Sequence, residues 1–356
     1  MSSAVFRTGI VGAGGIARAH LRALQTLEQV EVAAVADVVP GKAQEMADLH
    51  GIPQAFASHR DLVALDDLDA VHVCTFNQAH RDPTVDALNA GKHVIVEKPM
   101  AARLDHATDM VKAARDNDRL LMCAIKSRFS DDLMTAREVV ASGDLGDIYY
   151  AETVAQRRRG IPGRTFISEK TAGFGATADI GVYALDAVLW LMDHPQPVSV
   201  SGTTLTHIGY GGPPTRGVHW QWDPAQLDVE EFGAGWVRFD NGAVMVIKSV
   251  WAMHMDSVGE TFVLGREGGL RLTPELTVFR DSWGVLSDIR LGVEASHAHV
   301  QFQRECEAFY AAIEAGGPSP IDPWQALMTN VIIQGLLDSS RQGGREVPVL
   351  MPLPPS

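Results

Sequence analysis

One short stretch limits what the rest of the chain can become. Phe6-Arg7-Thr8-Gly9-Ile10-Val11 ends in an apolar pair and runs into Gly12-Ala13-Gly14-Gly15-Ile16-Ala17. A helix-compatible segment follows, from Ile16 to about Leu27. In a strand–turn–helix context, Gly12-x-Gly14-x-x-Ala17 has a physical reading. Gly12 makes the tight turn, Gly14 lets backbone approach a pyrophosphate, and small Ala17 lets the helix sit close to the strand. The helix N-terminus then turns unpaired N–H groups toward the phosphates. Gly12, Gly14, Gly15, Ile16 and Ala17 are therefore the first candidate contacts to a dinucleotide. Without a ligand the same residues would be a plain Gly-rich turn.

The next strand supports the ligand. Val30-Glu31-Val32-Ala33-Ala34-Val35-Ala36 ends in Asp37, about 20 residues after Ala17, where a carboxylate accepts hydrogen bonds from the adenosine ribose. The same charge repels a 2′-phosphate, so Asp37 favours NAD, while Lys42 leaves NADP open. From there strand and helix signals alternate to about residue 125, as a doubly wound parallel sheet requires. A helix opens at Pro40 and stops at Gly51, Phe56 begins a link, and Asp61–Leu65 forms a short helix. Ala70–Thr75 and His93–Val96 read as buried strands around a helix from Ala79 to Ala90. Arg103–Asn117 and Leu120–Ile125 complete the series. Ligands bind at the carboxyl ends of such strands, which adds Thr75, Asn77, His80, Glu97 and Lys98 to the candidate cofactor site.

Beyond residue 125 the pattern changes. A helix (Asp131–Ala141) precedes β-branched, alternating stretches at Ile148–Gln156, Val198–Thr206, Phe232–Phe239, Ala243–Val250, Thr261–Leu264 and Leu276–Phe279. Short turns at Asp240-Asn241-Gly242 and Gly265–Gly269 indicate an antiparallel sheet. A helix from Ile180 to Met192 interrupts it, His207–Asp223 reads as a loop, and helices Val300–Ala315 and Asp322–Gln342 lead to a Pro-rich tail. The expected division is 1–125 for a nucleotide-binding domain, 126–345 for an α+β substrate and oligomerisation domain, and 346–356 for the tail.

Composition narrows the partners. With 356 residues, 46% hydrophobic and 21% charged, the chain suits two globular domains. A net charge of −14 argues against nucleic acid and against anionic membrane surfaces. The scattered cysteines Cys74, Cys123 and Cys306 read as buried free thiols. The turn at residue 12 leaves no room ahead of it for a signal peptide. The apolar run Tyr183–Met192, broken by Asp186, is too short to span a bilayer. A cytoplasmic protein is expected. His297 and His299 have no third ligand in sight, so no metal is expected.

Glu97-Lys98-Pro99 after the His93–Val96 strand, together with the glycine turn, makes the sequence recognisable. The chain resembles the glucose–fructose oxidoreductase/inositol dehydrogenase/rhizopine-catabolism (Gfo/Idh/MocA) family along nearly its whole length. Thr75-Phe76-Asn77-Gln78-Ala79-His80 is similar to the family's T-P-N-x-x-H, and Arg128-Phe129 follows in place. Gly173-Phe174-Gly175-Ala176-Thr177-Ala178-Asp179-Ile180-Gly181-Val182-Tyr183-Ala184-Leu185-Asp186 is like its G-G-G-x-x-x-D-x-G-x-H-x-x-D. The resemblance implies a Rossmann domain and an open, mostly antiparallel sheet that serves partly in a homodimer or homotetramer. It also implies NAD(P)-dependent chemistry at a carbon of a sugar, cyclitol or related polyol. The family's catalytic Lys falls on Lys98, its Asp on Asp179 and its catalytic His on Tyr183, a departure shared with glucose–fructose oxidoreductase. Phe174 replaces the middle glycine, and Lys126 stands where the family often has Asn.

The residues themselves suit the chemistry. Oxidising a secondary alcohol needs a group that takes the hydroxyl proton while hydride leaves for nicotinamide. A lysine with pKa about 10.4 becomes such a base when burial and a cationic ring lower it. Asp179 and Tyr183 share a face if helical, with Asp179 also placed to cap helix 180–192. Lys98 and Tyr183 both become candidates for the proton, and Asp179 for orienting a neighbour. Lys126, Arg128, Arg157 and Arg159 are candidate substrate contacts that admit a sugar acid. Trp220, Trp222 and Trp251 offer apolar faces to a sugar ring. The leading reading is an NAD-dependent dehydrogenase or reductase of a sugar, cyclitol or glycoside. Beside it stand a tight-cofactor aldose transhydrogenase or NAD-assisted glycosidase, and a dinucleotide-binding sensor without turnover. The Lys98/Asp179/Tyr183 set argues against the sensor.

Overall fold

The computed structural model describes residues 5–214, 216–217 and 219–355. β1 (Phe6–Val11), α1 (Gly15–Leu24), β2 (Val30–Ala36), α2 (Lys42–His50), β3 (Gln54–Phe56), α3 (His59–Val63), β4 (Ala70–Val73), α4 (Arg81–Asn89), β5 (His93–Glu97), α5 (Leu104–Asp116) and β6 (Leu121–Ala124) alternate along the chain. The strands pair in parallel in the order β3-β2-β1-β4-β5-β6. The chain reverses direction across the sheet between β1 and β4, the switch point at which such sheets place ligands. β4, β5 and β6 are buried nearly throughout, as expected when helices cover both faces.

Next come α6 (Asp131–Ala141), β7 (Ile148–Gln156), α7 (Ala176–Asp179), α8 (Gly181–Leu191), β8 (Pro197–Leu205), β9 (Phe232–Phe239), β10 (Val244–Val250), β11 (Phe262–Gly265), β12 (Gly268–Arg271), β13 (Thr277–Ser282), β14 (Val285–Arg290), α9 (Ala298–Ala315), α10 (Pro323–Arg341) and β15 (Val347–Pro348). Nine strands form a second sheet in the order β14-β13-β12-β11-β7-β10-β9-β8-β15. β7 and β10 pair in parallel, and the remaining pairings are antiparallel. The architecture is thus α/β: a Rossmann sheet plus a mixed, mostly antiparallel one.

The chain divides into two compact units, and the boundary differs from the one the sequence suggests. His297–Leu327 groups with the residues up to Lys126, while the second unit takes in Ser127–Ser296 and Met328–Pro354. The physical reason is the aromatic face of α9. Phe302 meets the His20 ring at 5.4 Å, Phe309 meets His72 at 6.1 Å, and Tyr310 meets Phe6 at 5.6 Å. The tail is not a free appendage either, because β15 pairs with β8.

Other elements depart from the sequence reading. Phe56 ends a strand, β3, where a link was expected. α2 begins at Lys42, after Gly41 at φ 83°, and not at Pro40. Gly268 and Gly269 lie in β12, which leaves only Arg266-Glu267 between the strands. The helix expected at 180–192 is α8, and a separate short helix, α7, precedes it with Ile180 between the two. Asp179 ends α7, so it is not the cap of the longer helix. The 207–223 loop contains a 3₁₀ turn at Gly209–Gly211, and its Thr215 and Val218 lie outside the described residues. Cys74, Cys123 and Cys306 are buried and form no disulfide among the described residues. Among the described residues, no helix is long and apolar enough to cross a membrane.

Candidate functional site

In the first unit, the glycine turn is built to leave space. Gly12 has φ +101°, and a Cβ there would lie 2.5 Å from Cys74 O. Only glycine fits without moving backbone. A Cβ on Gly14 or Gly15 would meet nothing within 4 Å, so this side of the turn is open. The amides of Gly15, Ile16 and Ala17 precede the first intrahelical bond, from Arg18 N–H to Gly14 O at 3.3 Å. They head a ten-residue helix with no acidic residue in its first turn, a setting that attracts phosphate. Asp37 follows β2 and uses its carboxylate to hold the turn. Oδ2 accepts from Ala13 N–H at 2.7 Å, and Oδ1 accepts from Val39 N–H at 2.8 Å. Thr75 Oγ1 is buried with no hydrogen-bond partner among the described residues, a polar group waiting for a ligand. The cradle, the amides and this hydroxyl fit a dinucleotide.

His80 and Glu97, both read as cofactor contacts, turn inward. His80 is fully buried, with Nδ1 at 3.0 Å from Pro99 O and Nε2 at 3.2 Å from Thr75 O. Burial pulls its pKa down against these hydrogen bonds. It clamps the segment after β4 to the segment after β5. Glu97 sends its carboxylate into the core, 2.9 Å from His20 Nε2, and takes the Lys98 N–H at 3.0 Å. Burial works to raise its pKa, but His20, Lys98 and Lys126 hold it below the ordinary carboxylate value. Lys98 itself is half-buried at the carboxyl end of β5, before Pro99. Asn77 lies in a short 3₁₀ turn after β4. Lys126 spends its ammonium on the Phe302 ring, 5.3 Å away, and is not presented as an open cation.

In the second unit, Asp179 is the organised acid. Its Oδ2 accepts from Trp251 Nε1 at 2.9 Å and from Arg157 Nη1 at 3.3 Å. Arg157 also stacks on Trp220 at 4.7 Å. Tyr183 is half-buried in the first turn of α8. Arg159 points elsewhere, to Met253 O at 2.6 Å and to His254. Arg128 turns to a buried carboxylate. Nε and Nη2 form a bidentate pair with Asp186 at 2.7 Å each, with both side chains buried. Trp222 and Trp251 are core residues, while Trp220 remains 40% exposed.

Two family models match in succession. Residues 6–125 match the "Oxidoreductase family, NAD-binding Rossmann fold" model, and residues 133–271 match the "GFO/IDH/MocA C-terminal domain". The chain belongs to the Gfo/Idh/MocA family. It is an NAD-binding oxidoreductase. Among its relatives is D-glucoside 3-dehydrogenase of Escherichia coli K12, 29% identical over 350 residues, covering 97% of this chain and 98% of the relative. D-xylose 1-dehydrogenase (NADP(+)) 2 of Haloferax volcanii is 26% identical over 339 residues, covering 94% and 97%. A similar fold is seen in levoglucosan dehydrogenase solved with NADH, with TM-score 0.83, 20% identity, and coverage of 97% and 99%.

Proposed function

We propose that the protein moves hydride between NAD and a hydroxyl-bearing carbon of a neutral sugar or glycoside. The observation that carries this reading is the open glycine cradle tied to Asp37, with Lys98 at the end of β5, in a chain of this oxidoreductase family. Gly14, Gly15, Ile16 and Ala17 would hold the pyrophosphate through backbone amides, and Thr75 and Asn77 the nicotinamide end. The bound nicotinamide supplies the hydride acceptor. Asp37 favours NAD over NADP because its carboxylate sits where a 2′-phosphate would bring further negative charge.

Lys98 is assigned the proton transfer at the reacting hydroxyl together with Tyr183, and Asp179 the orientation of a neighbouring group. Trp251 and Arg157 fix the Asp179 carboxylate. Neutral sugars are favoured over sugar acids because the basic side chains have other work. Arg157 pairs with Asp179, Arg128 with Asp186, Arg159 with a carbonyl, and Lys126 with an aromatic ring. The glucoside, xylose and levoglucosan dehydrogenases named above set the substrate class to try first. Initial rates with matched glycosides and uronates test this proposal. Glycosides should win by tenfold or more in kcat/KM, and a uronate preference would overturn the assignment of these cations.

A further inference from the structure

The core of the first unit contains polar groups that nucleotide binding leaves unexplained. His20 on α1, His72 on β4 and Cys306 on α9 are all buried, and one ligand atom from each lies within 4.8 Å of the others. The imidazoles turn the same nitrogen inward, His20 Nδ1 facing His72 Nδ1 at 2.9 Å. Their outer nitrogens are anchored. His20 Nε2 meets Glu97 Oε1 at 2.9 Å, and His72 Nε2 meets the Tyr310 hydroxyl at 3.0 Å. Tyr310 then meets Thr8 Oγ1 at 2.5 Å, and Thr8 donates to Ala70 O at 3.2 Å.

A hydrogen count shows what this arrangement lacks. Five contacts run in series from Glu97 to Ala70 O. With Glu97 ionised and the imidazoles neutral, His20, His72, Tyr310 and Thr8 bring only one hydrogen each. Both ends are acceptors, so four hydrogens serve five contacts and one contact goes without. When Thr8 donates to Ala70 O, Tyr310 to Thr8, His72 Nε2–H to Tyr310 and His20 Nε2–H to Glu97, that contact is the one between the two Nδ1 atoms.

We propose that His20 Nδ1, His72 Nδ1 and Cys306 Sγ form a buried site for a thiophilic transition-metal cation such as Zn²⁺. Two imidazoles and a thiolate suit such an ion. The outer partners are the kind that orient metal-bound histidines, a carboxylate on His20 and a phenol on His72. A second observation is independent of the histidines. Glu305, next to Cys306 and fully buried, has both carboxylate oxygens without a hydrogen-bond partner among the described residues. These are buried polar atoms next to a ligand residue that the protein itself leaves unpaired. Bonds of about 2.0–2.1 Å to a tetrahedral centre separate two nitrogens by roughly 3.3 Å, so the rings need to part by only about 0.4 Å. Binding would displace the Cys306 thiol proton and tie α9 to α1 and β4.

The test uses the full chain produced in zinc-supplemented medium, followed by gel filtration with chelator. The site predicts about one zinc per chain in wild type and at least tenfold less in Cys306→Ser. Cobalt in place of zinc should give a thiolate-to-metal absorption band. Histidine ring ¹⁵N spectra give a readout that needs no variant. The metal-loaded protein should show both Nδ1 nitrogens without attached hydrogen and moved from their positions in the metal-free protein. Protein that leaves zinc-supplemented growth without zinc, with its imidazole ¹⁵N resonances where the metal-free protein has them, would overturn the proposal.

Discussion

Gly12 and Gly14 sit two residues apart in the same turn, yet adding a methyl group to each should have opposite consequences. At Gly12, alanine must hold φ +101° and place Cβ 2.5 Å from Cys74 O, about 0.9 Å inside the 3.4 Å edge of ordinary contact. A left-handed conformation costs about 1–2 kcal/mol, and overpacking against backbone roughly 1–3 kcal/mol more. The move would also strain the Gly12 N–H bond to Ala36 O and the Cys74 N–H bond to Val11 O, both 2.7 Å. At about 2–4 °C per kcal/mol for a unit of this size, Gly12→Ala should melt roughly 5–15 °C below wild type. Gly14 has φ −84°, which any residue adopts, and its Cβ would meet nothing within 4 Å. Gly14→Ala should therefore fold as well as wild type. Its methyl enters the space assigned to the pyrophosphate, and an overpacking cost of about 1–3 kcal/mol corresponds to NADH binding weakened roughly five- to 150-fold. Thermal unfolding without nucleotide and fluorescence titration with NADH separate the two effects. A Gly14→Ala protein that binds NADH like wild type, or melts like Gly12→Ala, refutes the reasoning.

Three further outcomes follow from the geometry. Tyr183→Phe should lower kcat by about 10²–10⁴ if the phenol shares the proton transfer, with the Kd for NADH unchanged; a fall below tenfold makes Tyr183 a pocket-lining residue. Asp186→Asn leaves the Arg128 guanidinium buried without its bidentate partner and should cost about 3–5 kcal/mol in denaturant unfolding; a loss under 1 kcal/mol would mean that the pair is hydrated. His194 is pushed down to about 3 by burial, then by Arg128 and Arg137. Between pH 6.5 and 3 the unfolded chain takes up a proton that the folded chain refuses, so stability falls as pH drops, by up to about 1.4 kcal/mol per unit. Unfolding of His194→Asn across this range should lose that slope, and an unchanged slope would exonerate His194.

Local pattern and tertiary context divide what the sequence revealed. α6, β7 and β9 fall on the expected residues because their apolar spacing and flanking turns are local. β14 escaped notice because five of its six residues are exposed, so no buried face imposes alternation. β3 is three half-buried residues, too few to show a period. Asp37 and Lys98 stand out in the sequence as candidates because they follow apolar strands at the places where such sheets bind ligands. The Arg128 ion pair was not legible because its partner, Asp186, lies 58 residues along the chain. His20, His72 and Tyr310 meet only through the fold, the last two being 238 positions apart. Trp251 holds Asp179 from 72 residues away, and no local signal marks the pair.

Hydride transfer from a sugar is the central claim, and the rise of the reduced-nicotinamide absorbance band measures it most directly. Purified protein should reduce NAD, and NADP less well, with at least one neutral sugar or glycoside from a panel that includes glucosides, xylose and levoglucosan. Lys98→Met should abolish that signal while still binding NADH within about threefold of wild type. Full activity in Lys98→Met, or NADH binding with no turnover on any polyol, sugar or sugar acid, would contradict the account.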